Sequence, residues 1–102
     1  MAEINWTDEA EEWLKKIYDY IAEDDCDTAA RVVNSIYKRV ETLRDFPFLG
    51  QRLLNWEDRN IRVLLYGHYR IAYLINEENN IDVLGVFHDA LDIEKYLPKN
   101  NY

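Results

Sequence analysis

Three apolar runs in the second half of the chain, separated by two short polar breaks, predict a small antiparallel sheet. The runs are rich in β-branched and aromatic residues and span Ile61 to Tyr66, Tyr69 to Ile75 and Ile81 to Phe87. The breaks are Gly67-His68 and residues 76–80. Because a parallel return needs about a dozen residues or more, connections this short force successive strands to run antiparallel. The pattern therefore predicts a three-stranded meander.

Both faces of the predicted meander carry apolar side chains. Strict alternation assigns the odd-numbered residues of the third run, ending at Phe87, to one face and the even-numbered residues, ending at His88, to the other. Arg70 is the polar exception on the even-numbered face of the middle run. A sheet that is apolar on both faces usually has one face covered by helices and the other by a groove, a tail or a partner.

Two amphipathic helices are predicted ahead of the meander. The first has Thr7 as its N-cap and ends near Ala22, and the second runs from Thr28 until Pro47 and Gly50 close it. Apolar residues recur at helical spacing at Ala10, Trp13, Leu14, Ile17 and Ile21 in the first helix and at Ala29, Val33, Ile36, Tyr37, Val40 and Leu43 in the second. The pair predicts an antiparallel helical hairpin that packs on the sheet.

The remaining segments complete an α+β fold with the order β-α-α-β-β-β over a single domain, residues 1–102. Ala2 to Trp6 is predicted to add a short strand to the edge of the meander. Gln51 to Asn60 shows no regular pattern, and Trp56 within it is interpreted as a packing residue, with a partner-binding anchor as the alternative. The tail after Phe87 could form a short helix before Pro98.

Length and composition narrow the class of protein. A chain of 102 residues is large enough for one modest core. No run reaches the roughly 18 apolar residues of a membrane helix, and the N-terminus lacks a basic segment followed by an apolar one, so we expect a soluble, cytoplasmic protein. The single cysteine, Cys26, lies among acidic residues that disfavour its thiolate, and we expect it to be inert.

The charge of the chain is unevenly distributed. The net charge is −8, with −8 in residues 1–30, +4 in residues 31–70 and −4 in residues 71–102. Because affinity for phosphate comes largely from lysine and arginine, direct nucleic-acid binding is not expected. The basic middle third predicts a local basic patch, or a solvated surface without pattern.

The acidic run at residues 23–27 does not indicate a cation site. It lacks the alternating spacing, the glycine and the distal glutamate of a calcium loop. We interpret it as the connection between the two helices and the cap of the second. The sequence predicts no metal and no cofactor.

Several short sequence motifs, taken together with their order and spacing, resemble those of the RelE/ParE toxin superfamily. They are Ala29-Ala30, L-R-D-F-P-F-L-G from Leu43 to Gly50, Arg62 in a strand, Y-R-I-A-Y from Tyr69 to Tyr73, and V-F-H from Val86 to His88. The resemblance covers nearly the whole chain. The Y-R-I-A-Y phrase and the long helical hairpin are closer to the ParE-like side.

The resemblance implies the toxin of a bacterial type II toxin-antitoxin, or plasmid stabilisation, module. Its partner would be a cognate antitoxin that wraps the sheet and helices. RelE-like members cut messenger RNA on the ribosome, and ParE-like members poison DNA gyrase. We therefore expect a toxin that binds a protein target such as DNA gyrase, with a ribosome-dependent endoribonuclease and a detoxified interaction module as the alternatives.

RNA cleavage would need a base, a cation and an acid at one site. Arg70 could supply the cation, as the matching arginine does in nucleases that this chain resembles, and His88 the acid or base. Glu57 and Tyr96 are weaker candidates. The competing interpretation is structural, with Arg70 paired to an acid on a helix and His88 ending a strand. His68 lies in a predicted turn and is expected to be a plain surface residue.

The register of the last two strands tests whether Arg70 and His88 can cooperate. Directly opposed residues of an antiparallel pair share a face. If Ile75 lies opposite Ile81, alternation places Arg70 opposite Val86 and on the same face as His88. If Asn76 instead lies opposite Ile81, the side chains of Arg70 and His88 point to opposite sides of the sheet.

The chain also departs from the pattern of the toxins it resembles. Those toxins are usually basic, and many carry an arginine or lysine shortly after the last strand, whereas here His88 is followed by the acidic stretch Asp89 to Asp92. Carboxylates beside an RNA backbone weaken binding by like-charge repulsion. This departure favours a protein target or a loss of toxicity.

Overall fold

The computed structural model describes residues 2–54 and 58–88 and confirms the predicted α+β fold. In chain order the elements are β1 (Ile4–Trp6), α1 (Asp8–Ala22), α2 (Cys26–Glu41), a 3-10 helix (Thr42–Arg44), β2 (Gln51–Arg52), β3 (Asn60–Tyr66), β4 (Tyr69–Ile75) and β5 (Ile81–His88). The strands form one sheet in the order β1-β5-β4-β3-β2. The predictions for Trp56, Glu57, Tyr96 and the helix before Pro98 concern residues outside the described ones.

The sheet is the predicted meander with a short strand at each edge. β3, β4 and β5 pair antiparallel, and β1 joins the edge of β5 in parallel. β1 is shorter than predicted, since Ala2 instead donates its N–H to the Arg44 carbonyl at 3.1 Å. β2, which pairs with β3 at residues 62 and 63, was not predicted, because two residues are too few to show alternation.

Side-chain caps explain where the helices begin. Thr7 Oγ1 accepts a hydrogen bond from the Ala10 N–H at 3.2 Å and donates one to the Val83 carbonyl at 2.7 Å, which ties the start of α1 to β5. Asp25 caps α2 by accepting hydrogen bonds from the next turn, so that helix begins at Cys26, earlier than predicted. The acidic run therefore connects and caps the helices, as expected.

The Asp25 cap predicts a defined dependence of stability on pH. Hydrogen bonds from the side chain and backbone of Thr28 lower the pKa of this carboxyl below its ordinary value. A depressed folded-state pKa contributes stability that is present above the unfolded pKa and is lost as the pH falls through the folded pKa. Asparagine caps a helix without titrating. We expect Asp25→Asn to lose less stability than the wild type between about pH 6 and about pH 3 in urea unfolding; equal losses would contradict the prediction.

Both faces of the sheet are apolar, and the helices cover one of them. The helix face buries residues of α1, α2 and the three long strands, among them Leu14, Ile36, Val40, Ile71, Tyr73 and Val86. On the opposite face, which we call the outer face, Ile61, Val63, Ala72 and Phe87 form a second buried cluster. Among the described residues, neither helix is long and apolar enough to cross a membrane.

A β-bulge interrupts the pairing of β4 with β5. Tyr73 lies opposite Val83, but its neighbour Ala72 lies opposite Gly85, so Leu84 is an extra residue on β5. Beyond Leu84 the alternation is reversed, and Gly85 and Phe87 lie on the outer face. The faces predicted by strict alternation were therefore wrong for this half of β5.

Candidate functional site

The bulge separates the two residues that were predicted to form a catalytic pair. Ile75 does lie opposite Ile81, but Arg70 lies opposite Phe87 and His88 lies opposite Tyr69. Because successive residues of a strand point to opposite faces, Arg70 is on the outer face and His88 on the helix face. The shared face expected from this register was therefore wrong. The catalytic role of each residue by itself stays a prediction.

His88 lies in a groove between α1 and the ends of β4 and β5. This aromatic groove has a volume of about 620 Å³ and is lined by Trp13, Lys16, Ile17, Tyr20, Tyr69, Val86 and His88. The side chain of Tyr20 is 77% exposed at its rim. In the part of the chain that the structure describes, the groove thus presents aromatic rings and one lysine, Lys16.

The ring of His88 is stacked among other rings at this end of the sheet. Its centroid lies 5.8 Å from that of Tyr69 and 6.2 Å from that of His68. Burial raises the pKa of the Tyr69 phenol, and Tyr20 raises it further. His68 is exposed, as expected for a turn residue. Among the described residues, the cation nearest to this cluster in the aromatic groove is Lys16, and Arg70 does not line that groove.

Arg70 lies in a second groove, at the edge of the sheet formed by β2 and β3. This arginine groove has a volume of about 590 Å³ and is lined by Arg39, Leu49, Gln51, Leu53, Val63, Leu64, Leu65 and Arg70. Leu65 is 62% exposed and Leu49 is 47% exposed. Arg39 donates a hydrogen bond from Nε to the Leu65 carbonyl at 3.2 Å. Among the described residues, the charged side chains that line the groove are those of Arg39 and Arg70.

A buried tyrosine fixes the loop that forms one wall of the arginine groove. The Gly50 N–H donates to Tyr73 Oη at 2.9 Å, and the Tyr73 hydroxyl donates to the Pro47 carbonyl at 2.8 Å. Burial raises the pKa of the Tyr73 phenol. Gly50 is needed because a Cβ there would lie 2.8 Å from the Tyr73 ring and 2.8 Å from the Val63 carbonyl oxygen. The phrase L-R-D-F-P-F-L-G thus encodes a loop packed on the core.

Arg62 holds the same loop from the strand beside it. Its Nη1 donates to the carbonyls of Gly50 at 2.7 Å and Phe48 at 3.2 Å, and its guanidinium lies 4.9 Å from the Phe48 ring centroid. The loop nevertheless leaves Phe46 64% and Phe48 63% exposed. Exposed aromatic side chains on a fixed loop are typical of protein-binding surfaces.

Sequence reasoning did not identify this exposed loop. Its signal was an apolar run, Phe46 to Leu49, that fits neither the helical nor the strand period and lies between a helix and a turn glycine. An apolar run without a period has no predicted buried face. Such a run is a candidate for exposure, which the structure shows directly.

Of the two alternatives for the basic middle third, a local basic patch and a solvated surface without pattern, the β2–β3 edge of the sheet fits the first. Arg52 and Arg62 are directly paired across β2 and β3, and Arg39 and Arg70 line the neighbouring groove. By contrast, α1 carries Asp8, Glu9 and Glu11 in its first turn. The molecule therefore has an arginine-rich edge on an acidic chain.

The other predicted chemistry is tested only in part. Glu57, Tyr96 and the acidic residues after His88 lie outside the described residues. In the described part of the chain, no three histidine, cysteine, aspartate or glutamate side chains are grouped as metal ligands would be. Cys26 is exposed on α2.

The family model for the ParE toxin of the type II toxin-antitoxin system, parDE, matches residues 4–93 of the sequence. No curated protein matches the sequence. Among solved structures, a chain of the chromosomal ParDE TA system from P. aeruginosa superposes with a TM-score of 0.68 and is 20% identical, and the match covers 86% of this chain and 96% of that one. At that identity the structural likeness shows a common fold.

Proposed function

Because this chain belongs to the ParE toxin family of type II toxin-antitoxin systems, we propose that it acts by binding a protein target such as DNA gyrase. A cognate antitoxin neutralises it by covering part of its surface. The observation that carries the proposal is the separation of Arg70 and His88 by the thickness of the sheet. This separation disfavours the nuclease alternative that was built on the two residues.

RNA cleavage through the 2′-hydroxyl makes a geometric demand that the opposite orientations of Arg70 and His88 do not favour. The base, the acid and the cation must all reach one phosphate within hydrogen-bond distance. Arg70 and His88 point to opposite faces of the sheet, which disfavours their acting together on one phosphate. The net charge of −8 further opposes the approach of an RNA backbone.

The described surface is better suited to binding proteins. Six large apolar side chains are exposed, namely Tyr20, Phe46, Phe48, Leu49, Leu54 and Leu65. Exposed apolar side chains that cluster around a groove mark interaction sites, and aromatic residues and arginine are the residue types enriched at such interfaces. Both types occur beside the arginine groove.

Induction of the protein alone in bacteria tests the proposal. We expect growth to stop with a DNA-damage response, while messenger RNAs remain intact. Because neither residue acts catalytically in this proposal, Arg70→Ala and His88→Ala are each expected to arrest growth as the wild type does. Growth curves, a damage-responsive reporter and mapping of messenger 5′ ends measure the three outcomes.

Two results would overturn the proposal in different ways. Messenger cleavage that is lost in Arg70→Ala or His88→Ala would establish a nuclease. Normal growth during strong induction of the folded protein would instead support the third alternative, an interaction module without toxicity.

A further inference from the structure

Residues 46–49, which we call the phenylalanine loop, carry two exposed aromatic side chains, those of Phe46 and Phe48. We propose that these two side chains bind the protein target of the toxin, by inserting into an apolar pocket of a folded partner whose rim carries carboxylates. The assignment deepens the proposed function and rests on it in one respect, since it takes the occupant to be the target.

The phenylalanine loop is a tight turn whose backbone is held in place by the rest of the fold. The Leu49 N–H donates a hydrogen bond to the Phe46 carbonyl at 3.1 Å, which closes the turn. Pro47 occupies the second position of this turn, where the fixed φ of proline fits. The Pro47 carbonyl accepts a hydrogen bond from the buried Tyr73 hydroxyl at 2.8 Å. Because the backbone is already fixed, binding through this loop requires little further ordering of the toxin.

The two phenylalanine side chains present apolar surface that is costly to leave in water. Phe46 is 64% exposed and Phe48 is 63% exposed, whereas Phe87 is 1% exposed. An aromatic side chain that becomes buried in an interface removes a large apolar area from water. Aromatic residues are accordingly enriched at the centres of protein interfaces. The loop therefore has the composition of an interface centre.

The shape of the loop selects a folded partner. Extended and helical peptide segments bind in grooves or along sheet edges, where they fill a concave or flat surface of the other protein. A turn that projects two aromatic side chains has the opposite shape and requires a concave receptor. Folded proteins provide such pockets, and a single peptide segment does not. The occupant is therefore the target, and not an antitoxin segment that wraps the toxin.

The charge beside the loop selects a pocket with an acidic rim. The guanidinium of Arg62 lies 4.9 Å from the Phe48 ring centroid, and Arg52 is paired with Arg62 across β2 and β3. These arginines lie on a chain whose net charge is −8. Carboxylates at the rim of a pocket are attracted to this edge and repelled by a predominantly acidic surface elsewhere. Complementary charge of this kind fixes where the partner binds.

Serine substitutions at the two phenylalanines and at a matched aromatic residue test the assignment. Tyr20 is the control, because its ring is 77% exposed and belongs to the aromatic groove and not to the phenylalanine loop. The probe is purified DNA gyrase holoenzyme, titrated with each full-length toxin variant. Phe46→Ser and Phe48→Ser are each expected to weaken binding about tenfold or more, and Tyr20→Ser about twofold or less. Circular dichroism and the urea unfolding midpoint check that each variant is folded.

Induction in bacteria and titration with the antitoxin separate the two possible occupants. Both loop variants are expected to lose growth arrest, while their affinity for the protein encoded by the adjacent small open reading frame stays within about threefold of the wild type. A loss confined to antitoxin binding, with growth arrest as in the wild type, would overturn the assignment and make the antitoxin the occupant. An equal loss of gyrase binding in Tyr20→Ser would also overturn it.

Failure of the proposed function gives a different result from failure of the assignment. If the wild type itself does not arrest growth, the proposed function is wrong and the assignment is wrong with it. If the wild type and both loop variants arrest growth equally, the proposed function stands and the assignment alone is wrong. If the wild type arrests growth without binding gyrase and both loop variants lose the arrest, the loop binds a different protein target and the assignment stands.

Discussion

Tyr73→Phe is expected to lower the free energy of unfolding by about 2–4 kcal/mol, although it removes a single oxygen atom. The hydroxyl accepts from the Gly50 N–H and donates to the Pro47 carbonyl, and Tyr73 is fully buried. Phenylalanine would leave both backbone groups without that partner beneath the loop. Each buried polar group that loses its partner costs about 1–3 kcal/mol. Urea unfolding measures the change.

Tyr69→Phe provides the matched control on the same strand and the same face. Among the described residues, the Tyr69 hydroxyl has no hydrogen-bond partner, so its removal is expected to cost less than about 0.5 kcal/mol. Amide hydrogen exchange adds a local measurement, since the Gly50 N–H is expected to exchange faster only in Tyr73→Phe. Equal losses in the two variants would contradict the role given to the Tyr73 hydroxyl.

Gly85→Ala is the second substitution for which we expect a large effect, about 2–3 kcal/mol of destabilisation. A Cβ at residue 85 would lie 2.5 Å from Cζ of Phe87, whose ring crosses over the glycine. Phe87 is 1% exposed and also contacts the Trp13 ring, with the centroids 4.7 Å apart, so its ring cannot swing away freely. The added methyl group therefore forces strain into a buried part of the sheet.

A double-mutant cycle with Phe87→Leu isolates that contact. Leucine has no ring over residue 85, so Gly85→Ala is expected to cost at least about 1 kcal/mol less in this background. Thermal or urea unfolding of the four proteins gives the coupling. A cost for Gly85→Ala that is the same in both backgrounds would show that the clash with the ring is not its source.

The elements that were predicted correctly, helix α1 and the meander, are determined by residues close together in sequence. Helix α1 begins after Thr7 and ends at Ala22 as expected, because a capping hydroxyl and an apolar stripe act within a few residues of one another. The meander follows from turns too short for any parallel return. Membership of the ParE toxin family agrees with the resemblance found in the local phrases.

The candidate site depends on contacts between residues far apart in sequence, and its arrangement was predicted less well. The loop that carries Phe46 and Phe48 is held by a hydrogen bond from Tyr73 to the Pro47 carbonyl, 26 residues away in sequence. The bulge at Leu84 reverses the faces of β5, although Gly85 was a local hint, since glycine inside a strand often accompanies a bulge. A prediction that assigns alternate residues of a strand to alternate faces cannot detect an extra residue such as Leu84.

The bulge also gives the fold a simple route of divergence. Because it consists of one residue, closing the bulge while Leu84 is retained would shift the register of β5 by one residue and exchange the faces of every side chain beyond Val83. His88 would then share the outer face with Arg70 without any substitution at either position. Two descendants of one gene could in this way differ in which side chains meet at the end of the sheet while keeping nearly the same amino-acid sequence.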